Sequence, residues 1–420
     1  MRRWQGVTLG TLFTGYAGYY ICRSVLPVAS NKLLNDPDLG IDELDYGRLG
    51  AVGIYAYAAG KLCNGIATEY IGGRTMFLIG MVLSASCVAA FGMAGGIATF
   101  LLIWAMNRFV QSMGWCAMVQ ITGRWFRPES LATVMGLLSL SYLFGDAFAR
   151  LYLGAFINAG WGWRELFLIA AGTLLGIALV GFFTLRASPT RVGLPEPPPP
   201  PGNVFGTATS DSRMSLRELL GPLLRSRMFW LVCVMNAGLT AIRETFNYWT
   251  PRYLEKGVGL SDEISGLLSF VFPLTGAIAA VLAGFAGDRT TGRYGRLIVP
   301  LMLMCSGVLG VLMWVDLRDR PTLALSLIGG VAFFVMGPYT FCSGVLALNL
   351  GGKRAGAASA GIIDAVGYLC GAIVSGEIAG RLVKAYGFGP LLEVLFGLAI
   401  ATLFVSAIYA VIEERRWRQS

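Results

Sequence analysis

Gly65-Ile-Ala-Thr-Glu69-Tyr-Ile-Gly72-Gly-Arg74 returns in altered form as Gly284-Phe-Ala-Gly-Asp288-Arg289-Thr-Thr-Gly292-Arg293, 219 residues further on. Each copy follows an apolar stretch and keeps a glycine, an acid four residues later and an arginine five beyond that. A second, unlike pair has nearly the same offset: Arg23 and Arg243 stand 220 residues apart, each inside a stretch that otherwise reads as membrane helix. Two features sharing one spacing indicate an internal duplication. Parallel six-helix halves related by an axis along the membrane normal are one arrangement that such duplication produces.

Composition agrees. Of 420 residues, 55% are hydrophobic and 14% charged. Segments of about 20 apolar residues, enough to cross a hydrocarbon core of about 30 Å as helices, recur at 5–33, 46–68, 74–94, 97–123, 130–157, 163–186, 226–256, 262–287, 294–316, 321–348, 355–383 and 388–413. The expected fold is therefore an all-α membrane protein of twelve helices. An N-terminal half spans 1–186, a cytoplasmic linker 187–225 and a C-terminal half 226–420. The linker opens with Pro195 and Pro197–Pro201, a stiff segment, and is predicted to end in a short surface helix around Ser215–Leu224.

The net charge of +9 does not indicate nucleic acid, because the basic residues follow topology. Arg2, Arg3, Arg74, Arg124, Arg127, Lys353, Arg354 and Arg415–Arg418 fall on the amino terminus, the even-numbered loops and the carboxyl tail. Asp36, Asp38, Asp42, Glu43 and Asp45 crowd the first loop on the other side. By the positive-inside rule both termini are cytoplasmic, and a bacterial inner membrane is the expected location. The first apolar segment lacks a small-residue cleavage site and is expected to stay as helix one. There is no histidine, and the eight cysteines lie in apolar segments without metal-ligand spacing. No metal, cofactor or disulfide framework is expected, and no nucleophile and base stand at catalytic spacing.

An arginine at the bilayer centre costs roughly 2.5–3.5 kcal/mol on insertion scales, so Arg23 and Arg243 point to a central anion site. The repeated loop has a mechanical reading. Gly65 and Gly284 let helices approach closely, Glu69 and Asp288 can sit at helix amino termini, and Arg74 and Arg293 can reach a neighbouring helix, together holding the cytoplasmic side shut in one state.

Twelve segments, a central linker and the paired motif resemble the major facilitator superfamily over essentially the whole chain. Tyr19-Tyr20-Ile-Cys-Arg23, Tyr57-Ala-Ala-Gly-Lys61, Asn107-Arg-Phe-Val-Gln111-Ser-Met-Gly114-Trp115, Arg243 six residues before Trp249-Thr-Pro251-Arg-Tyr253, and Gly367-Tyr368-Leu369 are similar to the organophosphate:phosphate antiporters. That group includes glycerol-3-phosphate and hexose-phosphate transporters. The resemblance implies that Arg23 and Arg243 bind a phosphoryl group, with Lys61 adding a point charge. A guanidinium fork suits a phosphate that needs donors on both sides. The chain departs from the family at Ser24, where a second basic residue is common, at Cys116-Ala117-Met118 and Gln120 in helix four, and at Tyr142, where bacterial members have a histidine.

Helical spacing places Tyr20 with Arg23, and Tyr57 with Lys61, on shared faces. Tyr142, Asn247, Tyr368 and Asp364 complete the candidate ligand set. Asp146, Glu244 and Asp364 are candidate proton carriers. Asp146 can pair with Arg150 four residues on, Glu244 points about a quarter turn away from Arg243, and Arg108 reads as a structural residue of the first half. The expected activity is secondary transport of a small phosphorylated metabolite in exchange for inorganic phosphate, by a monomer in the lipid bilayer. Proton-coupled movement of another organic anion or zwitterion, or sensing of a sugar phosphate, are the alternatives.

Overall fold

A computed structural model describes residues 1–200, 203–206, 214–290 and 292–419. The described residues are helical apart from short connections. In chain order the helices are α1 (Arg2–Leu34), α2 (Glu43–Ile71), α3 (Gly73–Met93), α4 (Ile97–Gln111), α5 (Met113–Trp125), α6 (Leu131–Asn158) and α7 (Trp163–Thr184), then α8 (Leu216–Arg225) in the linker. They continue as α9 (Arg227–Tyr253), α10 (Asp262–Leu268), α11 (Val271–Arg289), α12 (Gly295–Trp314), α13 (Pro321–Thr340), α14 (Ala347–Ala372), α15 (Ala379–Tyr386) and α16 (Phe388–Gln419). Helices α1 to α7 pack chiefly on one another, as do α9 to α16. The two groups meet where α2 lies on α14 and α6 on α11.

Several predicted spans are interrupted. The segment expected at 97–123 breaks at Ser112, where the Phe109 carbonyl accepts from the Ser112 hydroxyl (2.7 Å) and the Asn64 amide (2.9 Å). Those side chains compete for an acceptor that the helical ladder would use. The segment expected at 262–287 is split between α10 and α11. Helix α14 breaks at Gly352 (φ 59°) and Ala355 (φ −138°), between the spans expected at 321–348 and 355–383.

Seven helical stretches among the described residues are long and apolar enough to cross a membrane. Helices α1, α2, α4 with α5, and α9 are not among them. These carry Arg23, Lys61, Arg108 and Arg243, so these less apolar helices are those that bring positive charge to the middle of the bundle. Large apolar side chains such as Leu151, Phe183 and Phe404 are exposed on the outside, as a lipid-facing surface requires.

Lipid is as apolar as a leucine core, so helices in a bilayer associate through close backbone packing. The seam between the groups is built that way. A Cβ on Gly65 would meet the Ala357 carbonyl oxygen at 2.8 Å, and one on Gly361 would run into the Lys61 carbonyl oxygen. On the other seam, a Cβ on Gly136 would meet the Ala280 oxygen at 2.6 Å and one on Gly284 the Ala132 oxygen at 2.7 Å. All four contacts lie toward the end of the bundle that bears the termini and the linker, called here the linker end.

The linker is fastened to the second group. Lys353 binds Glu196 (3.1 Å) and the Pro197 carbonyl. The Val204 N–H donates to the Leu350 carbonyl at 3.0 Å, a group left free by the break in α14. Helix α8 starts at Ser215, whose side chain caps Glu218 N–H while the Glu218 carboxylate caps Ser215. Those hydrogen bonds hold the Glu218 carboxyl below its ordinary pKa.

Gly361→Val is expected to lower the unfolding free energy in detergent by about 1–3 kcal/mol through overpacking. Gly154→Val, where nothing lies within 4 Å of the added carbon, should leave it unchanged; denaturant titration of both variants checks this.

Candidate functional site

Tyr57, Lys61, Gly65 and Glu69 are spaced by four along α2 and share a face, and each meets a partner on α14. The Tyr57 and Tyr368 rings pack edge to face with centroids 5.0 Å apart. Lys61 Nζ lies 2.7 Å from Asp364 Oδ2, with both side chains 2% exposed. Gly65 fits against Ala357 and Gly361. Glu69 Oε1 accepts from the backbone N–H groups of Ala357 (2.6 Å) and Ala358 (3.1 Å). These four rungs run from the middle of the bundle to its linker end.

The top rung joins the two arginines. Arg23 on α1 donates to the Tyr20 hydroxyl at 2.6 Å, and its guanidinium lies 4.4 Å from the Tyr57 ring centroid. Arg243 on α9 sits over the Tyr339 ring at 4.2 Å, donates to the Tyr368 hydroxyl at 3.4 Å and pairs with Glu244. Arg23 and Arg243 therefore approach each other through the Tyr57–Tyr368 contact. Cations over aromatic faces are held without being neutralised.

Arg108 also joins the site. It donates to Gln111 at 2.9 Å, and Gln111 in turn binds Ser84 and Asn107, so it is anchored within the first group as its neighbours implied. Its guanidinium nevertheless lies over the Tyr57 ring at 4.7 Å. No carboxylate lies within ion-pair distance of Arg23 or Arg108 among the described residues. The cluster holds four cations, Arg23, Lys61, Arg108 and Arg243, against two carboxylates, Asp364 and Glu244. It carries an excess of two positive charges.

Of the other candidates, Glu244 and Tyr142 stay at this centre, while Asp146 and Asn247 separate from it. Glu244 does not turn away from Arg243 as its position on the helix suggests, because a flexible side chain folds back onto the guanidinium. Asp146 accepts from Ser24 at 2.5 Å and from Arg150 at 3.0 Å, tying α1 to α6. Tyr142 packs against Tyr20 with ring centroids 5.9 Å apart, and its buried hydroxyl is directed to the Arg243 guanidinium. Asn247, one turn beyond Arg243, is exposed and is not brought onto the cluster. Gln120 lies at the linker end, donating to Glu69 and accepting from Gly73 N–H.

At that end Glu69 has a counterpart. Asp288 accepts from the N–H groups of Ala132 and Thr133, both at 2.9 Å. Each carboxylate thus caps a helix start in the other group, where unpaired N–H groups and the helix dipole favour a negative charge. The motif arginines act within their own groups. Arg74 donates to the Phe182 and Leu185 carbonyls at the end of α7, and Arg293 lies over the Trp417 ring and near Glu414.

The major facilitator superfamily model matches residues 11–375. The chain belongs to this superfamily. Its fold is that of the superfamily transporter FucP, solved in an outward conformation, with a TM-score of 0.72 at 13% identity over 96% of this chain and 98% of that one. It is 24% identical to a probable hexose phosphate transport protein of Chlamydia pneumoniae, over 95% of this chain and 90% of the relative. It is equally similar, at 24%, to the membrane sensor protein UhpC of Salmonella typhimurium, over 96% and 91%. The chain is thus an integral, multi-pass membrane protein of a transporter superfamily, and not an enzyme.

Removing one member of the Lys61–Asp364 pair leaves a buried charge without its partner. Lys61→Met or Asp364→Leu alone is expected to cost about 3–5 kcal/mol of stability, and the double variant should recover most of it. Unfolding curves for the three variants, analysed as a double-mutant cycle, measure the difference.

Proposed function

We propose that this protein carries a small phosphorylated metabolite, a sugar phosphate or glycerol phosphate, across the membrane in exchange for inorganic phosphate. The observation that carries this reading is the charge of the central cluster. An excess of two positive charges around Tyr57 and Tyr368 matches a phosphate monoester dianion, and the chlamydial relative, a probable hexose phosphate transport protein, points to the same chemistry. Ligand oxygens would take donors from Arg23 on one side and Arg243 on the other, in bidentate geometry where the guanidinium fork allows. Arg108, uncompensated and turned to the same ring, would add a third cation.

The exchange follows from electrostatics. With no anion bound, the unbalanced guanidiniums repel each other and resist closure of the far end. A phosphate or phosphate ester removes that repulsion and draws α1 and α9 together. Rocking of the halves 1–186 and 226–420 over one another would then open the linker end, by separating the Glu69 and Asp288 caps. The arginine-rich linker end would face the cytoplasm. Proton coupling would require Asp146, Asp364 or Glu244 to leave an arginine or lysine partner, so exchange is favoured.

Phosphate and phosphate esters should raise the thermal midpoint of the purified protein, while carboxylates of equal charge raise it less. Arg23→Ala or Arg243→Ala is expected to weaken phosphate binding by about tenfold to a hundredfold, the range for a charge-assisted hydrogen bond. Vesicles loaded with phosphate should take up labelled phosphate ester by counterflow. Binding without counterflow would instead indicate a sensor, as in the Salmonella relative, and uptake into empty vesicles driven by a pH gradient would indicate proton symport.

A further inference from the structure

We infer that the linker end carries a binding site for one anionic phospholipid headgroup, separate from the central cluster. A cavity of about 690 Å³ lies where the end of α8, the start of α9 and the end of α16 converge. Arg225, Arg227, Arg415 and Arg416 line it, with Met228 and Ile412 forming part of an apolar wall. All four arginines are exposed, and none has a carboxylate within ion-pair distance among the described residues. The adjacent Glu414 is turned instead to Arg293 and Arg296. Among the described residues no acid lines the cavity, where four arginine side chains converge.

The start of α9 offsets the partial negative charge that the carboxyl ends of α8 and α16 bring to the cavity, so the arginines set its net charge. The first-turn N–H groups of α9 lack intrahelical acceptors, and its dipole places partial positive charge at Arg227 and Met228.

The surroundings select a lipid rather than a free anion. Leu216 and Leu224 on α8, Trp230 on α9 and Trp417 on α16 are exposed on the three helices that form the cavity. Exposed leucines on a basic amphipathic helix, with tryptophans beside it, are the composition of a segment lying at the membrane surface. A headgroup phosphate would meet the arginines while the glycerol and upper acyl chain follow Met228 and Ile412. Its occupant would bind the linker, α9 and α16 together, all on the second group of helices. Nothing in this site touches Arg23 or Arg243.

Native mass spectrometry of the protein with short-chain phosphatidylglycerol, phosphatidylcholine and inorganic phosphate tests the assignment. One phosphatidylglycerol should be retained in preference to phosphatidylcholine, and inorganic phosphate at equal concentration should not displace it. Arg415→Gln with Arg416→Gln, both exposed at the end of α16, should lower that preference by about 25-fold, at roughly fivefold for each arginine near an anionic lipid. Adding Arg225→Gln and Arg227→Gln should abolish it, while the thermal shift produced by phosphate at the central cluster persists in both variants. Equal retention of the two lipids, unchanged preference in both variants, or displacement by inorganic phosphate would each overturn the proposal.

Discussion

The seam between α2 and α14 is the constraint on which the rest of the structure depends. One face of α2, read every fourth residue, supplies an aromatic contact, an ion pair, a glycine contact and a helix cap. In a medium without water, none of these can be exchanged for solvent. The Lys61–Asp364 pair is the costly member. Two charges removed from water hold together only through each other, so their separation is strongly opposed. The glycine rung fixes how near the backbones come, and this distance lets Lys61 and Asp364 meet and places Glu69 on the Ala357 and Ala358 amides. A change at any rung is felt at the others because they sit on two nearly rigid rods.

This arrangement gives the central charges distinct roles. Lys61 and Arg243 already have carboxylates, while Arg23 and Arg108 are held by aromatic rings, hydroxyls and an amide. The latter are positioned without being satisfied. Under the proposed function, a site that binds an anion and then releases it would benefit from such cations. A carboxylate beside each would compete with the ligand, and an unpositioned arginine would lose entropy on binding.

What could be read from the sequence was either local or repeated. Apolar length located the spans, the linker helix expected around Ser215–Leu224 forms as α8, and the common offset of two unlike features revealed the doubled plan. The acids of the loop motif were read as helix caps, and both lie on helix starts, although spacing did not say whose. The ion pair of Lys61 with Asp364 joins residues 303 positions apart, on helices whose mutual rotation no periodicity reports. Arg108 was read from its neighbours along α4, and its hydrogen bond to Gln111 fits that; its approach to Tyr57 comes from the packing of α2 on α4. Asn247 shares a face of α9 with Arg243 but lies one turn further along, exposed and outside the cluster.

The fastening of the linker limits how far the molecule can open. Before it, the Arg186 carbonyl is held by Trp125 of the first group at 3.0 Å; after it, Glu196 is held by Lys353 of the second. Only the stretch from Ala187 to Pro195 is left as slack, and part of that is coiled in a short turn at Pro189–Val192. Fully drawn out, nine residues reach about 30 Å. The tether is therefore long enough for the two bodies to tilt past one another, yet short enough that they remain a single jaw.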